Sequence, residues 1–388
     1  MKPGDIFSRS DRTVLGRWFW TIDRPLLGMV LILIAIGMIA VAAASPAAAE
    51  RLSGANFTYD AMFFLKRQIM WVLLGLPVLL GVSMLPKAWT KRLAIIGTGL
   101  GMLALAVLPF VGAEVNGAVR WLTIGGQNVQ PSEFLKPMFI VASAWILALR
   151  FDDPKVPALP ASALALVLVA ALLMLQPDVG QTALFSAVWI AQAFIAGLSL
   201  TLLAVLGVLA VACLGLAYLF VPHVTSRIDR FLTGEGDNYQ VERAVDAIRS
   251  GGFFGTGPGE GQAKFSLPEP HTDYIFAVIG EEFGMIACLL IACLFLAIVV
   301  RVLTQLFEED DPFVTLAATG LVVQIGLQAF INMGVSTNLL PSKGMTLPFI
   351  SHGGSSFIAL CIGTGMLLSL TRRSRFMKPI SSVRLAPA

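Results

Sequence analysis

Residues 26–45 read LLGMVLILIAIGMIAVAAAS, twenty positions without a charge. A helix of that length rises about 30 Å, the thickness of a bilayer's hydrocarbon core. Runs of the same kind recur along the chain as far as Leu370, so the whole body reads as a membrane domain. The composition agrees: of 388 residues, 56% are hydrophobic and only 13% charged, too few to coat a soluble core of this size.

Apolar windows mark ten helices, at 25–46, 67–85, 93–111, 133–149, 159–175, 179–196, 199–221, 274–304, 313–335 and 351–371. The expected fold is therefore an all-α polytopic membrane protein of about ten transmembrane helices. A large outer loop, 222–273, separates spans seven and eight, and the eighth window is long enough to tilt or kink. A polar arm (1–24) precedes the membrane domain (25–371), and a basic tail (372–388) follows it. The arm is followed directly by a run of spanning length, so it reads as leading a retained helix and not as a cleavable signal.

Lys and Arg orient the spans. With the N-terminus inside, sixteen of the 27 fall on inner segments. They are Lys2, Arg9, Arg12, Arg17 and Arg24 in the arm, and Lys87, Lys91, Arg92, Arg150, Lys155 and Arg301 in short loops. The tail adds Arg372, Arg373, Arg375, Lys378 and Arg384. Both termini are expected in the cytoplasm. The amphipathic stretch Arg12 to Trp20 reads either as an interfacial helix or as an aromatic belt where the first span begins. The four cysteines lie in apolar runs, and the three histidines show no metal-ligand spacing, so no zinc site is expected.

Polar residues collect on the outer face in four places. The first, 112–137, holds Arg120-Trp121 and then Gln130-Pro131-Ser132-Glu133-Phe134-Leu135-Lys136. Glu133 and Lys136 are three apart at a helix start, so they can pair, with Ser132 as a possible cap. The pair is either a structural salt bridge or a cation held ready for an anionic headgroup. The second is the corner Gln176-Pro177-Asp178, where Asp178 either caps a helix or lines a polar cavity.

The third is the 52-residue outer loop. Within it Tyr239 to Ser250 is amphipathic, with Val241, Ala244, Val245 and Ile248 on one face and Glu242, Arg243, Asp246 and Arg249 on the other, which fits a helix at the outer interface. The glycine-rich run 251–261 lacks the ending and context of a phosphate-binding P-loop and reads as a flexible turn. The loop closes on Glu269-Pro270-His271-Thr272-Asp273. Desolvation of Asp273 at the membrane boundary would raise its pKa, as a general base requires. The fourth place, 341–356, contains Lys343, Ser351 and His352 among prolines and glycines, the pattern of a broken backbone that must lie against protein or a wet cavity.

Taken in order, GAVRWLTIGGQNVQPSEFLK, QPDVGQ, LPEPHTDYIFAVIGEEFG and PSKGMTLPFISHGGSS resemble the SEDS family (shape, elongation, division and sporulation), in its FtsW branch. The resemblance covers nearly the whole chain. It departs at His352, where tyrosine is common, and at Gln181, where threonine is common. It implies the SEDS fold and peptidoglycan glycosyltransferase activity on lipid II, an undecaprenyl-diphosphate-linked disaccharide-pentapeptide. It also implies a class B penicillin-binding protein as crosslinking partner, other division proteins, and a place in the bacterial inner membrane at the septum. No nucleic-acid partner is expected.

The resemblance puts the family's catalytic carboxylate on Asp273 and its polar cavity pair on Glu133 and Lys136. The full set expected to meet substrate adds Arg120, Trp121, Gln130, Asp178, Arg243, His271, Thr272, Lys343 and Ser351. Asp273 is expected to deprotonate the acceptor hydroxyl, while Arg120, Lys136, Lys343 and Arg243 are candidates to stabilise the departing diphosphate. No cofactor is firmly implied; a divalent cation, magnesium or manganese, is left open. The competing readings are a lipid II flippase and a scaffold that only recruits partners.

Overall fold

The computed structural model describes residues 13–53, 58–115, 118–220, 225, 229, 239–341 and 344–372. A short helix, α1 (Val14–Thr21), opens the described chain, its first turn capped by the Thr13 hydroxyl, which accepts from the Gly16 amide at 3.1 Å. The Trp18 indole donates to Ser83 at 2.8 Å and so fastens α1 to the end of the helix Phe63–Ser83.

Among the described residues, six helices are long and apolar enough to cross a membrane: α2 (Arg24–Leu52), α3 (Phe63–Ser83), α4 (Lys87–Val111), α5 (Pro131–Asp152), α10 (Ile275–Leu306) and α11 (Pro312–Ser336). Four further apolar helices are α6 (Ala158–Met174), α7 (Val179–Ile195), α8 (Leu200–Phe220) and α12 (Gly354–Leu370). Each coincides with one of the expected windows to within several residues. The amphipathic loop segment forms α9 (Tyr239–Gly251).

The helices are not equally enclosed. The most apolar windows of α5 and α11 are 67% buried, whereas that of α4 is 17% buried. Apolar side chains that stay exposed, such as Leu100, Leu103 and Phe110 on α4, mark a lipid-facing wall. The enclosed pair α5 and α11 pack on each other, with α12 and α7 beside them. These inner helices also carry many of the buried polar residues.

The all-α expectation needs one amendment. The stretch between α4 and α5 forms a three-stranded antiparallel sheet, β1 (Ala113–Val115), β2 (Ala118–Ile124) and β3 (Gln127–Val129). Between β2 and β3 the chain turns in two residues, Gly125 and Gly126, at φ of +58° and +76°. Two successive positive φ values are what a tight hairpin of this hand demands, and glycine supplies them without strain. Ser132, expected as a cap, sits inside the first turn of α5; Gln130 is the capping position and its side chain makes no cap bond.

The long α10 is interrupted at Gly284, where φ is +77° and ψ is 177°. The segment after α9 fills the gap. Thr256 and Gly257 donate to the carbonyls of Glu281 and Glu282 at 2.9 and 3.1 Å, and Met285 donates to Gly252 at 2.9 Å. The glycine-rich run is therefore the backbone partner of a broken helix, not a loose turn, and the groups freed by the break are satisfied. The helix α9 docks on α10 through Val241, Ala244 and Ala247, which face protein.

Candidate active site

One end of the bundle gathers the start of α5, the corner before α7, the loop before α10, the end of α11 and the loop before α12. At this end Lys136 and Glu133 pair at 2.7 Å, both nearly sealed from solvent. A buried charge must be compensated, and here each partner is also held from the side. Gln181 donates to Glu133 Oε1 at 2.7 Å, and Lys136 donates to Gln328 Oε1 at 3.3 Å. Gln328 in turn donates to the Thr346 carbonyl at 3.0 Å, and the Thr346 and Ser356 hydroxyls lie 2.9 Å apart. A continuous polar line thus joins α7, α5, α11 and the loop before α12.

Asp178 caps α7, its carboxylate accepting from the Gln181 amide at 3.2 Å. Arg120, on β2, spends its guanidinium on the corner, donating to the carbonyls of Gln176 and Pro177 at 3.0 and 2.7 Å. It fixes the sheet against the corner. Trp121 lies on the same strand and Gln130 at the start of α5, both partly exposed. Arg243 lies on the exposed side of α9, 3.9 Å from Asp246. Lys343 lies outside the described residues.

Asp273 stands directly before α10. Among the described residues its carboxylate has no hydrogen-bond donor and no counter-ion, and Gly344 faces it so closely that a Cβ there would lie 2.7 Å from Oδ2. Burial, and then the charge of Glu269, push the Asp273 carboxyl up to about 6. The Thr272 hydroxyl donates to Glu269 at 2.8 Å and is not turned toward Asp273. Behind it, His271 stacks on Phe64 with ring centroids 4.0 Å apart, and burial lowers its pKa to about 4. His352, 5.6 Å from His271, is lowered to about 3 by burial and by the neighbouring His271 and Arg67. Both imidazoles are neutral near pH 7, so they supply no positive charge to Asp273.

Backbone bonds hold this loop to its neighbour. Ser351 Oγ donates to the Thr272 carbonyl at 2.7 Å, and the His352 amide donates to the His271 carbonyl at 2.9 Å. Among the described residues no three His, Cys, Asp or Glu side chains converge as a protein-held cation requires.

Sequence reasoning missed several participants. Gln324, Gln328, Asn332 and Ser336 are buried on α11 at a spacing of four, one polar stripe on an otherwise apolar span. That repeat was the available signal. Lys264, Glu281 and Glu282 were also missed as a group: Glu281 accepts from the amides of Ala263 and Lys264 at 2.6 and 2.8 Å, and Glu282 pairs with the Lys264 ammonium.

With this geometry in view, the chain matches the cell cycle protein family FtsW/RodA/SpoVE over residues 24–376. The chain belongs to that family. Relatives of the FtsW/RodA/SpoVE type include the "Probable peptidoglycan glycosyltransferase FtsW" of Caulobacter vibrioides, 42% identical over 369 residues, covering 95% of this chain and 93% of the relative. The protein of that name from Nitrosomonas europaea is 34% identical, covering 92% of this chain and 94% of the relative. Among solved structures, a chain from a peptidoglycan synthase complex that coordinates polymerization and crosslinking superposes with a TM-score of 0.75 at 26% identity, covering 90% of this chain and 97% of that one. The rod shape determining protein RodA of Thermus thermophilus gives a TM-score of 0.65 at 28% identity, covering 90% of this chain and 96% of its own. A multi-pass FtsW/RodA/SpoVE membrane protein is thus the identity supported by fold and sequence together.

Proposed function

We propose that this chain is a peptidoglycan glycosyltransferase that polymerises lipid II into septal glycan, with Asp273 as general base. The observation that carries the chemistry is the Asp273 carboxylate, without a partner among the described residues and poised at about 6 beside a buried polar line. The relatives' names support the activity.

In the proposed step, Asp273 takes the proton from the acceptor sugar hydroxyl as its oxygen attacks the anomeric carbon of the donor strand. The bond from that carbon to the diphosphate breaks, and undecaprenyl diphosphate leaves with the electron pair, inverting the centre. A general base contributes about 10²–10⁴-fold, so stabilising the diphosphate must supply much of the rest. Of the cations named for that task, Arg243 lies 3.9 Å from Asp246 on an exposed surface, and Arg120 is spent on the carbonyls of Gln176 and Pro177.

The orientation follows the charges. Lys87, Lys91, Arg92, Arg150, Lys155 and Arg301 lie at the bundle end opposite Asp273, which supports cytoplasmic termini and an outer-face site in the inner membrane. A class B penicillin-binding protein is the proposed crosslinking partner, within the division machinery. The likeness to a chain of the synthase complex supports that pairing.

A lipid II flippase needs a polar path through the midplane. The deeper Gln192 is instead spent on the carbonyls of Ile140 and Leu316, at 2.9 and 3.1 Å, and on Ser143. The experiment that separates the two follows labelled lipid II in sealed vesicles containing the purified chain. Polymer on the side where substrate is added supports the polymerase, whereas transfer across the bilayer without polymer overturns it.

A further inference from the structure

We propose that Asn332 is the positioning residue for Asp273, stapling the loop that carries the carboxylate to the loop that covers it. This inference rests on the reading of Asp273 as the base. Asn332 lies inside α11, 1% exposed. Its side-chain amide donates to the Asp273 carbonyl at 2.9 Å and to the Met345 carbonyl at 2.6 Å. Only the NH₂ end of an amide can serve two carbonyls, so these two bonds fix the orientation of the group. Among the described residues its Oδ1 is buried without a partner. The side chain therefore accepts an unsatisfied oxygen while both its donors hold loops.

The two loops are those that matter for the carboxylate. Met345 follows Gly344, whose open α-carbon lies against Asp273 Oδ2. The preceding carbonyls of His271 and Thr272 are held by the His352 amide and the Ser351 hydroxyl. Three successive carbonyls are thus gripped from outside their own segment. Asn332 alone among these three donors sits on a membrane-embedded helix, and it ties both loops to that helix. The Asn332 bond to the Asp273 carbonyl fixes the backbone from which the carboxylate is aimed. A displacement of about 1 Å at such a group lowers a rate by as much as about 100-fold.

Asn332→Leu keeps the volume and removes both donors; Asn332→Asp keeps the shape and leaves one donor at most. Thr319→Val, a buried hydroxyl nearer the opposite end of α11, is the structural control. Each full-length variant is assayed for polymer from lipid II across pH, per folded molecule, with Asp273→Asn in parallel. The expected result for either Asn332 variant is a kcat loss of roughly 10- to 100-fold with KM within about twofold, while Thr319→Val stays near wild type. The acid limb of the Asn332→Leu profile should also move to lower pH, because a released carboxylate regains water. If Asp273→Asn is inactive while a folded Asn332 variant has wild-type kcat, the positioning role is overturned and the base assignment stands. If Asp273→Asn is itself fully active, both fall together. Should Asn332→Leu not fold, Asn332→Asp decides.

Discussion

Glu133 and Lys136 meet at 2.7 Å in the first turns of α5, sealed from solvent and braced by Gln181 and Gln328 from two other helices. The pair is neutral as a unit, and its burial is tolerable only because both members are present. Lys136→Met should leave Glu133 uncompensated and destabilise the fold by about 3–5 kcal/mol. Thermal unfolding in detergent measures this. The double variant Glu133→Gln with Lys136→Met should recover most of the loss, and a single variant as stable as wild type would show that the pair is not structural.

Gly284 makes a second, independent prediction. Its backbone lies where only glycine is at ease, and a Cβ would come within 2.4 Å of the Gly255 nitrogen. Gly284→Ala should release the 252–257 segment from α10 and cost at least about 1–3 kcal/mol. Faster limited proteolysis within that segment is the expected readout; unchanged protection would mean the kink does not hold it.

Asp273 should leave a mark on stability as well as on rate. Its folded carboxyl titrates at about 6, above the usual 3.8. Between those values the folded chain binds more protons than the unfolded one, so this group's contribution to stability falls as pH rises through that window. Asp273→Asn removes the penalty and should be more stable than wild type above pH 6, by an amount on the order of 1–3 kcal/mol. Equal unfolding midpoints at pH 8 would count against a strained, desolvated carboxylate.

The same titration sets the rate. A base works only when deprotonated, so polymerisation should rise with pH through about 6 and level off above it. The pH profile of kcat checks this, and a rate independent of pH between 5 and 7 would contradict it.

The helices were legible because a bilayer imposes a length and a composition, and both are written in runs such as 26–45. Glu133, Lys136 and Asp273 were legible because ionisable groups at span boundaries stand out from apolar surroundings. The sheet was not legible, although β2 carries branched and aromatic residues and is followed by Gly125-Gly126, because its partner strands are only three residues long. Asn332 and Gln328 were harder to read: their stripe shows a polar face on α11, but their importance depends on which loops fold back onto it. The break at Gly284 was equally silent, since the run Gly280-Glu281-Glu282-Phe283-Gly284 does not say which glycine takes a positive φ.

The most direct measurement is glycan polymerisation from purified lipid II by the full chain, together with its penicillin-binding partner made inactive for crosslinking, comparing wild type with Asp273→Asn. A polymerase that uses Asp273 as base gives polymer from wild type and a loss of at least about 100-fold in a folded, partner-binding Asn variant. Equal polymer from both proteins would contradict the assignment of Asp273, and no polymer from wild type would contradict the polymerase itself.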